Sequence, residues 1–134
     1  MTNYGMCVTC EASFDATVEQ TRTALAEHGF GVLTEIDVAA TMKTKLDIDM
    51  LPHLILGACN PQLAHEALTV DASLGLLLPC NVVIRTLDRA HTLVEALDPR
   101  VMVGVTNNTA LEPVAERARD LLTKALADLG GIAS

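Results

Sequence analysis

Apolar and polar positions recur along the chain with changing period, and each change marks an element. Tyr4 to Cys10 reads as a first strand. Ser13 then offers a helix N-cap, and Phe14, Val18, Thr21 and Leu25 follow at helical spacing until Gly29 ends the run. Phe30, Val32, Thr34 and Ile36 alternate with Gly31, Leu33, Glu35 and Asp37, the two-residue period of a half-buried strand. Asp37 can cap a short helix with Val38, Met42 and Leu46 on one face. Beyond the Asp47-Ile48-Asp49 loop, His53 to Cys59 forms a third strand. Asn60 as N-cap and Pro61 at the first helical position close it and open a helix that turns Leu63, Ala64, Ala67 and Leu68 inward.

Two further strands, Cys80 to Leu87 and His91 to Leu97, are joined by Asp88-Arg89-Ala90, a connection of hairpin length. Asp98-Pro99 breaks the second of them. Val101 to Val105 fits either a strand or a helix. From Leu111 a final helix carries Val114, Ala118, Leu121, Leu122, Ala125 and Leu129 on one stripe before Gly130. Helices at both ends of a strand-rich middle predict an α+β fold, an antiparallel sheet with helices packed on one face.

Length and composition refine this picture. The 134 residues suit a single domain spanning 1–134, with no repeat, linker or low-complexity tract. Half the residues are hydrophobic, yet Tyr4, Phe14 and Phe30 are the only aromatics, so the core is aliphatic. That aliphatic surplus in so short a chain predicts a homodimer. A net charge of −8 without a basic cluster argues against nucleic acid and anionic membrane surfaces as partners. The start Met1-Thr2-Asn3-Tyr4 lacks a signal-peptide pattern, and no apolar run reaches the roughly 18 residues of a membrane span, which points to the cytoplasm. There the four cysteines are expected as reduced thiols or ligands rather than a disulfide framework.

The distinctive chemistry lies in Cys59-Asn60-Pro61 and Leu78-Pro79-Cys80-Asn81. If consecutive strands are neighbours, Cys59 and Cys80 come to one end of the sheet, together with His28, Asp98, Arg100 and Met102. Cys59 also precedes a helix N-terminus, which favours a thiolate. Two readings follow: a soft-metal site for Cu or Zn with Met102 or a histidine as third ligand, or buried cysteines that only pack. Asn60 and Asn81 are candidate ligand contacts, with a helix cap and a strand entrance as their structural alternatives. Cys7 and Cys10, three apart in a strand, point to opposite faces and cannot share a metal. No two histidines have His-x-x-x-His spacing, and hydrolase, P-loop and dinucleotide-binding signatures are missing.

The succession Gly29-Phe30-Gly31-Val32-Leu33-Thr34-Glu35-Ile36-Asp37-Val38, then Ile55-Leu56-Gly57-Ala58-Cys59-Asn60-Pro61, then Leu77-Leu78-Pro79-Cys80-Asn81-Val82-Val83 closely resembles the family called domain of unknown function 302. The resemblance implies a TATA-binding-protein-like α+β fold with a curved antiparallel sheet, commonly a homodimer. It also implies family cysteines at Cys59 and Cys80 but not at Cys7 and Cys10. Fold does not fix function, and an acidic chain gives that fold name no DNA-binding meaning. The expected function is a non-enzymatic binding protein for a small ligand or soft metal near Cys59, Asn60, Cys80 and Asn81. The alternative is a thiol-dependent redox or sulfur-transfer enzyme in which Cys59 attacks and Cys80 resolves.

Overall fold

The computed structural model describes residues 2–133. Its strands are β1 (Gly5–Cys10), β2 (Gly31–Asp37), β3 (His53–Cys59), β4 (Cys80–Thr86), β5 (Thr92–Leu97) and the two-residue β6 (Ile132–Ala133). They form one open sheet in the order β2-β3-β4-β5-β1-β6, antiparallel at every pairing. The helices are α1 (Phe14–Glu27), α2 (Val38–Leu46), α3 (Pro61–Val70), α4 (Arg100–Thr106) and α5 (Glu112–Ala127). The protein is therefore an α+β fold with an antiparallel sheet, as the alternating periods predict.

Helix starts follow the capping chemistry of the sequence. Ser13 Oγ accepts from Ala16 N at 3.2 Å, Asp37 Oδ1 from Ala40 N at 2.9 Å, and Asn60 Oδ1 from Leu63 N at 3.2 Å. Each satisfies an amide that the helix itself leaves without a partner, typically worth about 1 kcal/mol. Inside α1, the buried Thr17 and Thr21 hydroxyls donate to the carbonyls of Ser13 and Thr17, so neither is left unsatisfied.

The main core lies between one sheet face and α1 with α5. Leu56, Val82, Ile84, Val94 and Ala96 from the strands meet Val18, Ala24, Leu25, Leu122 and Ala125 from the helices. A second cluster, Leu63, Ala67, Leu74, Met102, Leu111, Val114 and Ala118, packs α3 and α4 against α5. The segment left open between strand and helix is helix α4. Its start is marked by Asp98-Pro99: Pro99 has no side-chain cap bond, but Asp98 Oδ1 accepts from Arg100 N at 3.0 Å, so the residues that break β5 also open the helix.

β2 departs from the expected alternation. Val32 pairs with Ala58 and Thr34 with Gly57, so Leu33 has no partner in β3 and forms a bulge. One extra residue exchanges the faces of everything after it. Glu35, opposite the core residue Leu56, now faces α1 and pairs with Arg22 at 2.8 Å, whereas Ile36 lies opposite Ile55 on the other face and is 50% exposed. The stripe expected on one face of α2 is only partly covered: Val38 and Met42 are half-buried, Leu46 is exposed, and no α2 residue is fully buried. With Ile48, Met50 and Leu51, Ile36 and Leu46 make an exposed aliphatic arm.

Candidate functional site

The end of β3 and the start of β4 are held by ladder pairs Leu56 to Val82, Gly57 to Asn81 and Ala58 to Cys80. Directly opposed residues share a face, so Cys80 takes the helix side with the buried Ala58, and Asn81 takes the other. Gly57 is required at this point, because a Cβ there would overlap Thr34 Oγ1 and lie 2.7 Å from Pro79 Cγ. Pro79 follows a cis peptide bond to Leu78.

Beneath this corner is a cavity of about 40 Å³, lined by Cys59, Cys80, Met102, Phe30, Leu63 and Ala118 among others. A single water needs roughly 10–15 Å³ on such a measure, so the space suits an ion or a ligand of a few atoms. Met102 reaches it from α4, which the second core cluster fixes in place. Its polar lining is confined to the two thiols, Asn60 and the backbone: no histidine, carboxylate or basic side chain lines it. The expected histidine ligand is absent from this corner, since His28 Nε2 instead lies 2.7 Å from Asp128 Oδ2.

Cys59 and Cys80 are free thiols of different exposure, Cys59 half-buried and Cys80 buried. Burial, and then the nearby Cys59, push the Cys80 thiol up to about 11. At pH 7 its thiolate fraction is then on the order of one in ten thousand. Cys10, buried in the main core, is also pushed up by burial. Iodoacetamide at neutral pH is therefore expected to modify Cys59 well before Cys80 or Cys10, in a time course read by peptide mass spectrometry. Faster labelling of Cys80 would contradict this arrangement.

The predicted site residues separate into three groups. Cys59, Asn60, Cys80 and Met102 share the cavity. Asn60 has a structural duty there as the α3 cap, and its Nδ2 packs against Gly29, whose φ of +84° also favours glycine. Asn81 is exposed on the opposite sheet face, in a depression with His53, Arg85 and Glu95. Asp98 and Arg100 line a third hollow, with Arg119 and Thr123. Strand alternation alone splits Cys80 from Asn81, so the two Cys-Asn pairs do not act as repeated units. Cys7 and Cys10 do face opposite ways: Cys10 joins the main core, and Cys7 pairs with Glu95 on the far face. Among the described residues, no group of three or more His, Cys, Asp or Glu side chains is placed to hold a metal. A thioether would have to complete any such site.

Arg119 is the residue that sequence reading missed. It sits on α5 and reaches Asp98 at 3.3 Å from 21 positions away. Nothing in the local pattern distinguishes it from a solvated helix charge.

Comparison with known proteins places this architecture. The sequence profile described as Domain of unknown function DUF302 matches residues 6–129. The crystal structure of an uncharacterized conserved DUF302 protein from Bacillus stearothermophilus is similar with a TM-score of 0.87 and 28% sequence identity, covering 96% of this chain and 99% of that one. Comparison with curated proteins gives no match. No helix among the described residues is long and apolar enough to cross a membrane. With the profile spanning nearly the whole chain and the fold shared with a solved member, the protein belongs to the DUF302 family.

Proposed function

We propose that this protein is a non-enzymatic binding protein for a soft metal ion, Cu(I), held by Cys59, Cys80 and Met102, and that it works as a homodimer in the cytoplasm. The observation that carries the reading is that Cys59, Cys80 and Met102 all line one small apolar cavity. Thiolate and thioether sulfurs are soft donors that suit Cu(I). A zinc site would need four nitrogen, sulfur or oxygen ligands of the usual kinds, and neither histidine nor carboxylate lines this cavity. A reducing compartment keeps both thiols available. The aliphatic arm of Ile36, Leu46, Ile48, Met50 and Leu51 supports the dimer, because a second copy would cover side chains that this chain leaves in solvent.

Metal entry must displace the Cys80 proton, so affinity is expected to rise with pH. The test is anaerobic native mass spectrometry after Cu(I) loading, with affinity from competition against a chromophoric chelator. One ion per chain on a dimeric species is expected. Cys59→Ser or Cys80→Ser should weaken binding by a factor on the order of a thousand, and Met102→Leu by about tenfold. Equal affinity in the parent and both serine variants would refute the site.

A second reading rests on the same adjacency. A half-buried Cys59 beside a buried Cys80 has the exposure pattern of an attacking and a resolving thiol. It predicts that a mild disulfide oxidant, itself reduced to two thiols, removes two hydrogens from the chain and joins these two cysteines.

A further inference from the structure

Asp98, at the end of β5, is a buried carboxylate held by two arginines from different helices. Its Oδ1 accepts from Arg100 N at 3.0 Å, and its Oδ2 accepts from Arg100 Nη2 at 2.8 Å, Arg100 Nε at 3.1 Å and Arg119 Nε at 3.3 Å. One carboxylate therefore faces two guanidiniums, and Glu116 lies near enough to Arg100 to act on its charge, so the arginines offer directed donors rather than a net positive charge. Among the described residues Arg119 uses only its Nε–H on Asp98, so its terminal amino groups remain as donors there, as does Arg100 Nη1.

These arginines border a hollow of about 390 Å³, within the size range of small-molecule sites. Thr123 adds a hydroxyl to its wall, and Met6, Leu126 and Ala127 make an apolar side. It shares no lining residue with the thiol cavity. We propose that this hollow binds a small organic anion, its carboxylate or phosphate head on Arg100 and Arg119 and its short apolar body against Met6 and Leu126. Guanidinium forks match both head groups in geometry and charge. Asp98 is the positioning residue: its oxygens fix where both guanidiniums lie before any ligand arrives.

Arg117 supplies an internal control. It lies on the same helix and carries the same charge, but its guanidinium is paired with Glu66. Isothermal titration calorimetry at low salt would compare malonate, as the carboxylate, with inorganic phosphate. At least one is expected to bind with a Kd of about 1 mM or tighter, and the stronger of the two identifies the head group. Arg119→Gln or Arg100→Gln should weaken that binding about tenfold or more, while Arg117→Gln changes it less than about twofold. All three replaced side chains are at least a third exposed, so the variants should keep the parent's circular dichroism. Lack of saturable heat with either anion at about 20 mM would overturn the proposal, as would an equal loss in Arg117→Gln, which marks unspecific charge attraction.

Discussion

Leu56→Ala is expected to destabilise the fold by about 2–5 kcal/mol, the cost of cutting a large aliphatic side chain out of a fully enclosed position. Leu56 is 0% exposed and sits on β3, the second strand of the sheet, paired with Glu35 on one side and Val82 on the other. Both neighbouring strands are fixed by their ladders, so the backbone cannot collapse into the space that the lost methyl groups leave. The core also lacks large rings to tilt into the gap: Phe30 is its only buried aromatic. Incomplete relaxation places the cost in the upper part of the range. Urea unfolding at fixed protein concentration would show a lower midpoint with an unchanged slope. A shift worth less than about 1 kcal/mol would mean that this region repacks freely, contrary to the tight packing of β3 between its neighbours.

Asp98→Ala is expected to cost about 2–4 kcal/mol, because it removes every charge-assisted hydrogen bond that ties β5 to α4 and α5. The loss stays below that of a fully buried ion pair, since the Arg100 and Arg119 side chains are 53% and 35% exposed and water can take the carboxylate's place. The same residue gives stability a pH dependence of definite sign. Burial opposes ionisation of Asp98, but hydrogen bonds from the Arg100 side chain and backbone and from Arg119 outweigh it and hold the carboxyl below its ordinary value. A carboxyl lowered in the folded state contributes fully above its unfolded value of about 3.9, and that contribution is lost as pH falls through the folded value. The stability gap between parent and Asp98→Ala should therefore be flat from neutral pH down to about 5 and narrow below about 4. A gap that stays constant in acid would show that shape, not charge, is what Asp98 provides.

Much of the architecture was legible because local chemistry and tertiary packing agree. The Asn60-Pro61 helix start, the Asp88-Arg89-Ala90 hairpin and the stripe on α5 are each specified within a few residues of chain, and they stand where the pattern puts them. The bulge at Leu33 was hidden because Phe30, Val32, Thr34 and Ile36 keep a period of two while the backbone does not. Only pairing with β3 reveals the additional residue. For the candidate site, strand order brought Cys59, Cys80 and Met102 to one corner. Asn81 was grouped with them by its place beside Cys80, although adjacent strand residues face opposite ways. Arg119 was illegible because its meaning depends wholly on Asp98, one helix and a turn earlier in the chain.

The bulge also bears on whether the sheet can be extended by further strands. β2 is one border of the sheet, and an intact border is a template on which further strands can add, copy after copy. With Leu33 out of register and 66% exposed, a regular incoming strand meets a break two residues into β2. The exposed aliphatic arm begins just past that break. In the homodimer proposed above, contact would then rest on side chains meeting about a twofold axis, which closes on itself, rather than on backbone pairing, which leads to fibres.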